Sequence, residues 1–219
     1  MLITTENYEA MWSHKPYAGL FIAMCGFDGS GKTTQTQNIA NVYSSKRKVI
    51  KTYQPTNWYR NLPEVRAYLD KGSYIDLQLL ALFAAADRRK HSIEVIEPAL
   101  LSSDTLLISD RYIFSLLSYF SVIGMKLEYI INLNRNLLKP TLSFYLDVPS
   151  SVILQRLKER DGSILKFEEK LEFIEKVCAV FRYLTTIDEK FILIDGTLSE
   201  SQITKMLCEL IERKRNTYE

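Results

Sequence analysis

The chain has 219 residues, of which 47% are hydrophobic and 25% are charged, and its formal net charge is +2. This length suits one large domain with a substantial core, and the composition is ordinary for a soluble globular protein. The small net charge, spread over alternating acidic and basic residues, gives no indication of a nucleic-acid partner.

Residues 1–18 precede the first predicted strand and carry no recognisable targeting signal. They lack the apolar stretch of a signal peptide and the Arg-rich pattern of a transit peptide. No apolar run in the chain has the length that a membrane-spanning helix needs. The three cysteines are widely and irregularly spaced, which argues against a disulfide framework or a CxxC metal site. We therefore expect a cytoplasmic protein without membrane contact.

Five short apolar runs alternate with helical patterns from residue 19 onwards. The predicted strands are 19–25, 48–53, 105–109, 142–146 and 191–194. Each run is nearly continuous in hydrophobicity, as in parallel strands that are buried on both faces. The predicted helices are 32–46, 74–98, a pair across 112–138, 150–160, 167–187 and 199–215. This alternation predicts one α/β domain over 19–219, with a doubly wound, five-stranded parallel sheet flanked by helices.

The segment between the first strand and the first helix satisfies the P-loop pattern G-x-x-x-x-G-K-[ST], reading GFDGSGKT at 26–33. Its glycines let backbone N–H groups approach phosphate oxygens, and the start of the next helix favours negative charge. Lys32 is expected to reach the β- and γ-phosphates, and the Thr33 hydroxyl to bind Mg²⁺. The candidate phosphate-binding residues are Gly26, Phe27, Asp28, Gly29, Ser30, Gly31, Lys32, Thr33 and Thr34. The pattern indicates a nucleoside triphosphate, and the lack of an N-K-x-D motif argues against a GTPase.

Three further segments follow in order: FAAADR at 83–88, DRY at 110–112 and KPTLSFYLDVPSSVILQRLKER at 139–160. Together with the DGSGKT loop, their order and spacing resemble thymidylate kinases over about residues 20–212. The resemblance implies a P-loop kinase that converts dTMP to dTDP with ATP and Mg²⁺, and it implies a homodimer. It leaves residues 1–18 as an N-terminal extension, which either covers a surface or forms a flexible tail.

Arg88 and Arg111 are the candidates for binding the acceptor phosphate. A monophosphate acceptor is already anionic, so the protein must suppress repulsion between two anions, and arginine grips phosphate with a fork of N–H groups. The resemblance assigns both arginines to the acceptor phosphate or its vicinity. It places Ser115 and Tyr119 near the base, although core packing would also explain Tyr119. It places Asp28 opposite the acceptor sugar and the reacting phosphates, with bracing of the loop as the alternative.

Asp110 ends an apolar run at the carboxyl edge of a predicted strand, where ligands of such sheets bind. It is suitably placed to hold Mg²⁺ through water, and the alternative is an aspartate that only caps a turn.

Water must also be excluded from a kinase site, and a basic lid at about 156–167 is expected to do this. Because Gly29 follows Asp28, the P-loop supplies no arginine, and the resemblance then assigns the catalytic cation to the lid. Arg160 is the first candidate, followed by Arg156 and Lys166. A charge-rich helix end without a catalytic role is the alternative.

Several positions depart from the pattern of the family, and they concern the acceptor half of the site. They are Cys25, Tyr53, Gln54, Ala84 and Phe120. An arginine near the acceptor phosphate is missing unless Arg60 or Arg66 replaces it. Phe83 is rotated away from Arg88 by the extra alanine, unless a local bulge in the helix restores its position. Cys25 is expected to be a small buried side chain rather than a reactive thiol.

Three functional hypotheses follow from these residues. The first is a dTMP kinase, and the second is a related P-loop kinase that acts on another nucleotide or on a nucleoside. The third is a catalytically weak nucleotide-binding regulator, against which the intact Lys32, Thr33, Asp110 and Arg111 argue.

Overall fold

The computed structural model describes residues 3–161 and 170–215. Its strands are β1 (Trp12–Ser13), β2 (Leu20–Cys25), β3 (Lys48–Tyr53), β4 (Thr105–Asp110), β5 (Leu137–Leu138), β6 (Leu142–Asp147) and β7 (Phe191–Asp195). Its helices are α1 (Thr5–Glu9), α2 (Lys32–Tyr43), α3 (Asn57–Arg60), α4 (Pro63–Lys71), α5 (Leu77–His91), α6 (Glu97–Ala99), α7 (Ile113–Val122), α8 (Leu127–Leu133), α9 (Ser150–Asp161), α10 (Leu171–Ile187) and α11 (Glu200–Arg215). A π-helical turn, Ser92–Ile96, joins α5 to α6.

Five strands form one parallel sheet in the order β3-β4-β2-β6-β7. The central strand β2 pairs with both neighbours, and Ile22 lies opposite Ile108 on one side and Leu142 on the other. Every residue of β2 is buried, because helices pack core clusters against both faces of the sheet. The chain crosses to the other side of β2 between β4 and β6, so the sheet is doubly wound. The predicted fold class is confirmed, and each predicted strand agrees with an observed one to within one residue.

The described part of the N-terminal extension packs against the domain. Tyr8, Met11 and Trp12 are buried, and β1 pairs in parallel with β5. The Tyr8 hydroxyl donates to Asp188 Oδ2 at 2.5 Å, and Lys139 Nζ lies 5.3 Å from the centre of the Tyr8 ring. Residues 3–18 therefore cover a surface, which is one of the two alternatives that the sequence leaves open.

The segment between β3 and β4 contains more helices than the sequence predicts. The helix predicted at 74–98 begins at Leu77, where the Asp76 side chain accepts from the Leu79 N–H, and it passes through the π-helical turn into α6. The short helices α3 and α4 precede it, and they are absent from the predicted elements. In the described part of the chain no helix combines the length and apolar character that crossing a membrane would require.

Candidate active site

The P-loop lies between the carboxyl end of β2 and the start of α2. Gly26 has φ of 145°, and a Cβ there would lie 2.6 Å from Ser30 Oγ, so the loop requires glycine at this position. Gly31, with φ of 96°, is the residue immediately before α2. Ser30 Oγ is buried without a hydrogen-bond partner among the described residues. The loop is therefore wound tightly around the start of the helix, as phosphate binding requires.

Lys32 is the buried cation of this loop. Its side chain is 5% exposed, and its ammonium group donates to the Phe27 carbonyl at 2.8 Å and lies 3.6 Å from Asp28 Oδ1. Burial lowers the pKa of Lys32 to about 8, and the neighbouring Arg111 charge acts in the same direction. The Asp28 carboxylate opposes both effects. The ammonium group is thus held in a position where added negative charge would favour its protonated form.

Asp28 connects the P-loop to Arg111. One guanidinium nitrogen of Arg111, Nη2, donates to Asp28 Oδ1 at 2.5 Å. The charge of Arg111 holds the pKa of Asp28 below its usual range, and Lys32 and Arg160 add to the lowering. Asp28 is therefore an ionised side chain that links two cations.

Arg111 adopts a left-handed backbone conformation, with φ of 70°. Its N–H donates to the Met24 carbonyl at 2.8 Å and its own carbonyl accepts from the Ser109 hydroxyl, so neighbouring strand ends hold this conformation. Such a conformation costs about 1–2 kcal/mol for a residue with a Cβ. It places the guanidinium carbon 5.2 Å from the centre of the Tyr119 ring. The strained backbone therefore directs a largely buried cation towards Asp28 and Tyr119.

Thr33 and Asp110 meet at the start of α2. The Thr33 hydroxyl donates to Asp110 Oδ2 at 2.8 Å. With its hydrogen directed to the carboxylate, the hydroxyl oxygen keeps its lone pairs for a cation, and both groups offer the oxygen ligands that Mg²⁺ prefers. Within residues 3–161 and 170–215 no cluster of three or more His, Cys, Asp or Glu could hold a metal. The donor set therefore fits a Mg²⁺ ion that also binds substrate phosphates.

Arg88 is buried on α5 and is bonded to uncharged groups. Its Nε donates to Gln54 Oε1 at 3.1 Å, and its Nη1 donates to Asn134 Oδ1 at 2.9 Å and to the Ala84 carbonyl at 3.3 Å. Burial lowers the pKa of Arg88 to about 10. The adjacent Asp87 carboxylate is engaged instead by the N–H and the hydroxyl of Thr56. Arg88 is therefore a desolvated cation, and because its hydrogen-bond partners are uncharged, they do not neutralise its positive charge.

A cavity of about 160 Å³ lies between the P-loop and helices α3, α4, α5 and α7. The polar residues of its lining include Asp28, Gln54, Arg60, Arg88, Arg111 and Ser115. Its apolar and aromatic residues include Tyr68, Leu69, Leu80, Ala84, Leu116, Tyr119, Phe120 and Ile123. Ser115 Oγ is buried without a hydrogen-bond partner among the described residues. The four predicted acceptor-binding residues, Arg88, Arg111, Ser115 and Tyr119, all line this cavity.

The positions that depart from the family pattern have different locations. Arg60 lines the cavity, whereas the exposed side chain of Arg66 pairs with Asp70 at 2.6 Å on the outer side of α4. Of the two predicted arginine replacements, only Arg60 is therefore positioned near the site. Cys25 is fully buried, and burial raises the pKa of its thiol to about 12, as expected for a packing residue.

The helix bulge does not lie where it would restore Phe83. The π-helical turn begins at Ser92, beyond Arg88, and α5 is regular between Phe83 and Arg88. Ala84 consequently lines the cavity in this helical turn, and Phe83 packs into the core cluster. The Ala84 methyl group, and not the Phe83 ring, therefore faces the cavity on this side.

The described part of the predicted lid is the end of α9. Arg156 Nη1 donates to the Gly29 carbonyl at 3.0 Å, and Arg160 follows one helical turn later. The charge of Arg160 is among the causes that lower the pKa of Asp28, so it acts on the P-loop. Lys166 lies outside the described residues. Of the predicted lid cations, Arg156 thus contacts the phosphate loop directly.

Asn134 and His91 belong to the surroundings of the site but are absent from the predicted residues. Asn134 accepts from Arg88 across 46 residues, and His91 bonds to Gln54 across 37 residues. The sequence pattern carries no local signal for Asn134. His91 lies three residues after Arg88, one helical turn along α5, and this spacing is a signal that could have suggested it.

A P-loop at the carboxyl edge of a doubly wound sheet, beside a cavity that Arg88 and Arg111 line, is typical of P-loop kinases. The sequence model of the thymidylate kinase family matches residues 25–207. The chain is 31% identical over 202 residues to a probable thymidylate kinase of Pyrococcus abyssi, covering 90% of this chain and 97% of the relative. It is 35% identical over 188 residues to that of Metallosphaera sedula, covering 85% and 89%. It is 33% identical over 168 residues to the thymidylate kinase of Desulfotalea psychrophila, covering 76% and 82%. The chain belongs to the thymidylate kinase family.

Proposed function

We propose that the protein transfers the γ-phosphate of ATP to dTMP, giving ADP and dTDP. The names of its relatives support dTMP as the acceptor. The single observation that carries the proposal is the connection between the two halves of the site: Asp28 joins P-loop Lys32 to Arg111, and Arg111 lines the same cavity as Arg88. One ion-pair network thus spans a triphosphate loop and a pocket for a second anion.

The proposed mechanism rests on charge and position. Lys32 binds the β- and γ-phosphates, while Arg88 and Arg111 hold the acceptor phosphate in line with the γ-phosphate. Thr33 and Asp110 would hold Mg²⁺, which supplies neutralisation of the phosphate charge when it is bound. Arg160, with Arg156 and Lys166 behind it, provides further positive charge from the lid. These groups reduce the repulsion between two anions without a strong general base.

The ionisation of Asp28 distinguishes this reaction from nucleoside phosphorylation. Transfer to a sugar hydroxyl would favour a carboxylate base, and Asp28 is the residue of the P-loop that could serve. Its pKa is lowered by Arg111, so it is a weak base, and it is already bonded to the guanidinium. A phosphate acceptor, which needs no base, fits this arrangement better.

A coupled ADP-release assay with dTMP, dUMP, dCMP, dGMP and AMP tests the proposal. We expect strong turnover with dTMP and loss of turnover in the Lys32→Ala variant. Turnover with a different acceptor would shift the substrate assignment, and nucleotide binding without turnover would indicate the regulator. Unchanged turnover in Lys32→Ala would contradict the mechanism.

We further propose a cytoplasmic homodimer, as the family resemblance implies. The three cysteines are unpaired, which suits a reducing compartment. Light scattering on the purified protein tests the dimer, and a monomeric mass at micromolar concentration would contradict it.

A further inference from the structure

A chain of buried hydrogen bonds connects strand β3 to the acceptor-side arginine. The hydroxyl of Thr52 lies 2.6 Å from His91 Nε2, and the Gln54 amide nitrogen lies 2.9 Å from His91 Nδ1. The other end of the Gln54 amide accepts from Arg88 Nε at 3.1 Å. Gln54, Arg88 and His91 are 1%, 3% and 6% exposed, so solvent does not compete with these bonds.

The donor and acceptor roles in this chain are fully determined. A guanidinium has only donors, so Gln54 must present its oxygen to Arg88 and its NH₂ group to His91. His91 Nδ1 must then be an acceptor, which makes the imidazole neutral with its proton on Nε2. That N–H donates to the Thr52 hydroxyl. Removal of the His91 acceptor therefore leaves the buried NH₂ group of Gln54 unpaired and weakens the hold on the oxygen that faces Arg88, and protonation of His91 opposes this orientation.

We propose that His91 is a positioning residue for the acceptor phosphate, because it orients Gln54 and Gln54 in turn orients Arg88. The inference rests on the proposed function. Gln54 and Asn134 engage Nε and Nη1 of Arg88, and among the described residues no partner engages Nη2. Nη2 is thus the group that Arg88 offers to an anion in the cavity it lines.

The residue type at position 54 explains why His91 matters in this chain. A glutamate at this position would present an oxygen to the arginine in either orientation of its carboxylate. An amide has one oxygen, so the bond from its NH₂ group to His91 helps to hold that oxygen towards Arg88. Protonation of His91 would place an N–H where Gln54 also offers an N–H, and the amide would have to turn. Arg88 Nε would then face a donor and lose its bond.

Burial and the neighbouring Arg88 charge favour the neutral form of His91. Burial lowers its pKa below the usual value, and Arg88 acts in the same direction. Asp87 on α5 and Glu94 in the π-helical turn oppose this. Strand β3 and the residues after it contribute the uncharged Thr52 and Gln54. The acceptor site is therefore correctly assembled at neutral pH and loses its positioning in acid.

The experiment compares wild type, His91→Leu and His91→Asn by KM for dTMP, KM for ATP and kcat. His91→Leu removes the acceptor for Gln54. We expect the KM for dTMP to rise about tenfold, which is the effect of a lost hydrogen bond to a charged group. The KM for ATP should change less than about twofold. His91→Asn supplies an amide oxygen near the position of Nδ1 and cannot titrate. It should keep the KM for dTMP within about threefold of wild type.

The pH profile separates positioning from general packing. The second pKa of a phosphate monoester is about 6, so dTMP titrates in the same range in every variant. We expect the KM for dTMP to rise more steeply in acid for wild type than for His91→Asn, and the difference reports His91. Equal rises in both KM values for His91→Leu, or identical acid limbs for wild type and His91→Asn, would overturn the inference. If His91→Leu fails to fold, the pH comparison still decides. A wild-type enzyme that does not phosphorylate dTMP would instead contradict the proposed function.

Discussion

The substitution Asp28→Asn is predicted to move the pH at which the protein releases ATP. The Asp28 carboxylate lies 3.6 Å from the Lys32 ammonium and raises its pKa, while burial and Arg111 lower it, with the result at about 8. Asparagine keeps the size of the side chain and can still accept from Arg111, but it removes the negative charge. The balance at Lys32 then shifts towards the neutral amine.

The magnitude follows from the position of the carboxylate. An opposite charge within about 4–6 Å shifts a pKa by about 1–3 units. The Asp28 side chain is 56% exposed, which screens the interaction, so we take the lower end of about one unit. At pH 7.5 the charged fraction of Lys32 would fall from about three quarters to about one quarter. Because the charged form binds the phosphates, ATP affinity should start to weaken above pH ~8 in wild type and above pH ~7 in Asp28→Asn.

The assay is the dissociation constant of ATP, measured by calorimetry without dTMP from about pH 6 to 9.5. Lys32→Met is the matched control, since it has no titrating amine and its weaker binding should show no alkaline limb. Superimposable alkaline limbs for wild type and Asp28→Asn would refute the electrostatic reasoning. An alkaline limb that persists in Lys32→Met would show that another group titrates.

Three further predictions concern stability and the separation of the two substrates. Lys32→Met should be inactive, yet in urea denaturation without ligand it should be more stable than wild type by about 1–2 kcal/mol. An apolar side chain then replaces a desolvated cation, and Asp28 keeps its bond to Arg111. A destabilised variant would contradict this. Arg88→Met should raise the KM for dTMP by about 100-fold, since the lost contacts are charge-assisted hydrogen bonds to phosphate. The KM for ATP should stay within about threefold of the wild-type value. Parallel changes in both constants would exclude an acceptor role. Trp12→Ala should lower the free energy of unfolding by about 3 kcal/mol, because Trp12 is 4% exposed in the core cluster. The kcat at 25 °C should stay unchanged. Loss of activity without loss of stability would contradict this, because the N-terminal extension would then contribute to the site.

The sequence predicts those parts of the fold that have continuous local signals. The three inner strands, β2, β4 and β6, are buried almost throughout, so their apolar pattern is visible without knowledge of their neighbours. The edge strands β3 and β7 have exposed residues, so their burial on both faces, expected from the sequence, is wrong. The short strands β1 and β5 have two residues each and exist through their pairing with one another, which no local pattern encodes. The extension has its own signal, since Tyr8, Met11 and Trp12 are spaced for one face of a helical turn.

The residues of the candidate site also fall into those that local motifs predict and those that only the fold reveals. The P-loop, Asp110 and the two arginines stand in motifs, and the structure brings Thr33 to Asp110 and Arg111 to Asp28 as that arrangement requires. The surroundings of Arg88 come from elements that are distant in the chain, and only the fold shows that uncharged groups bind it. The position of the π-helical turn could not be predicted from the sequence either, because such a turn depends on tertiary packing as well as on the residues in it.

The most direct test of the central claim is the ratio of products formed from ATP and dTMP. Phosphoryl transfer predicts that purified protein with Mg²⁺ forms one dTDP for each ADP, as resolved by chromatography or ³¹P NMR, and that omission of dTMP leaves ATP largely intact. ADP and inorganic phosphate without dTDP would contradict the account, because the two halves of the site would then not act on a shared phosphoryl group.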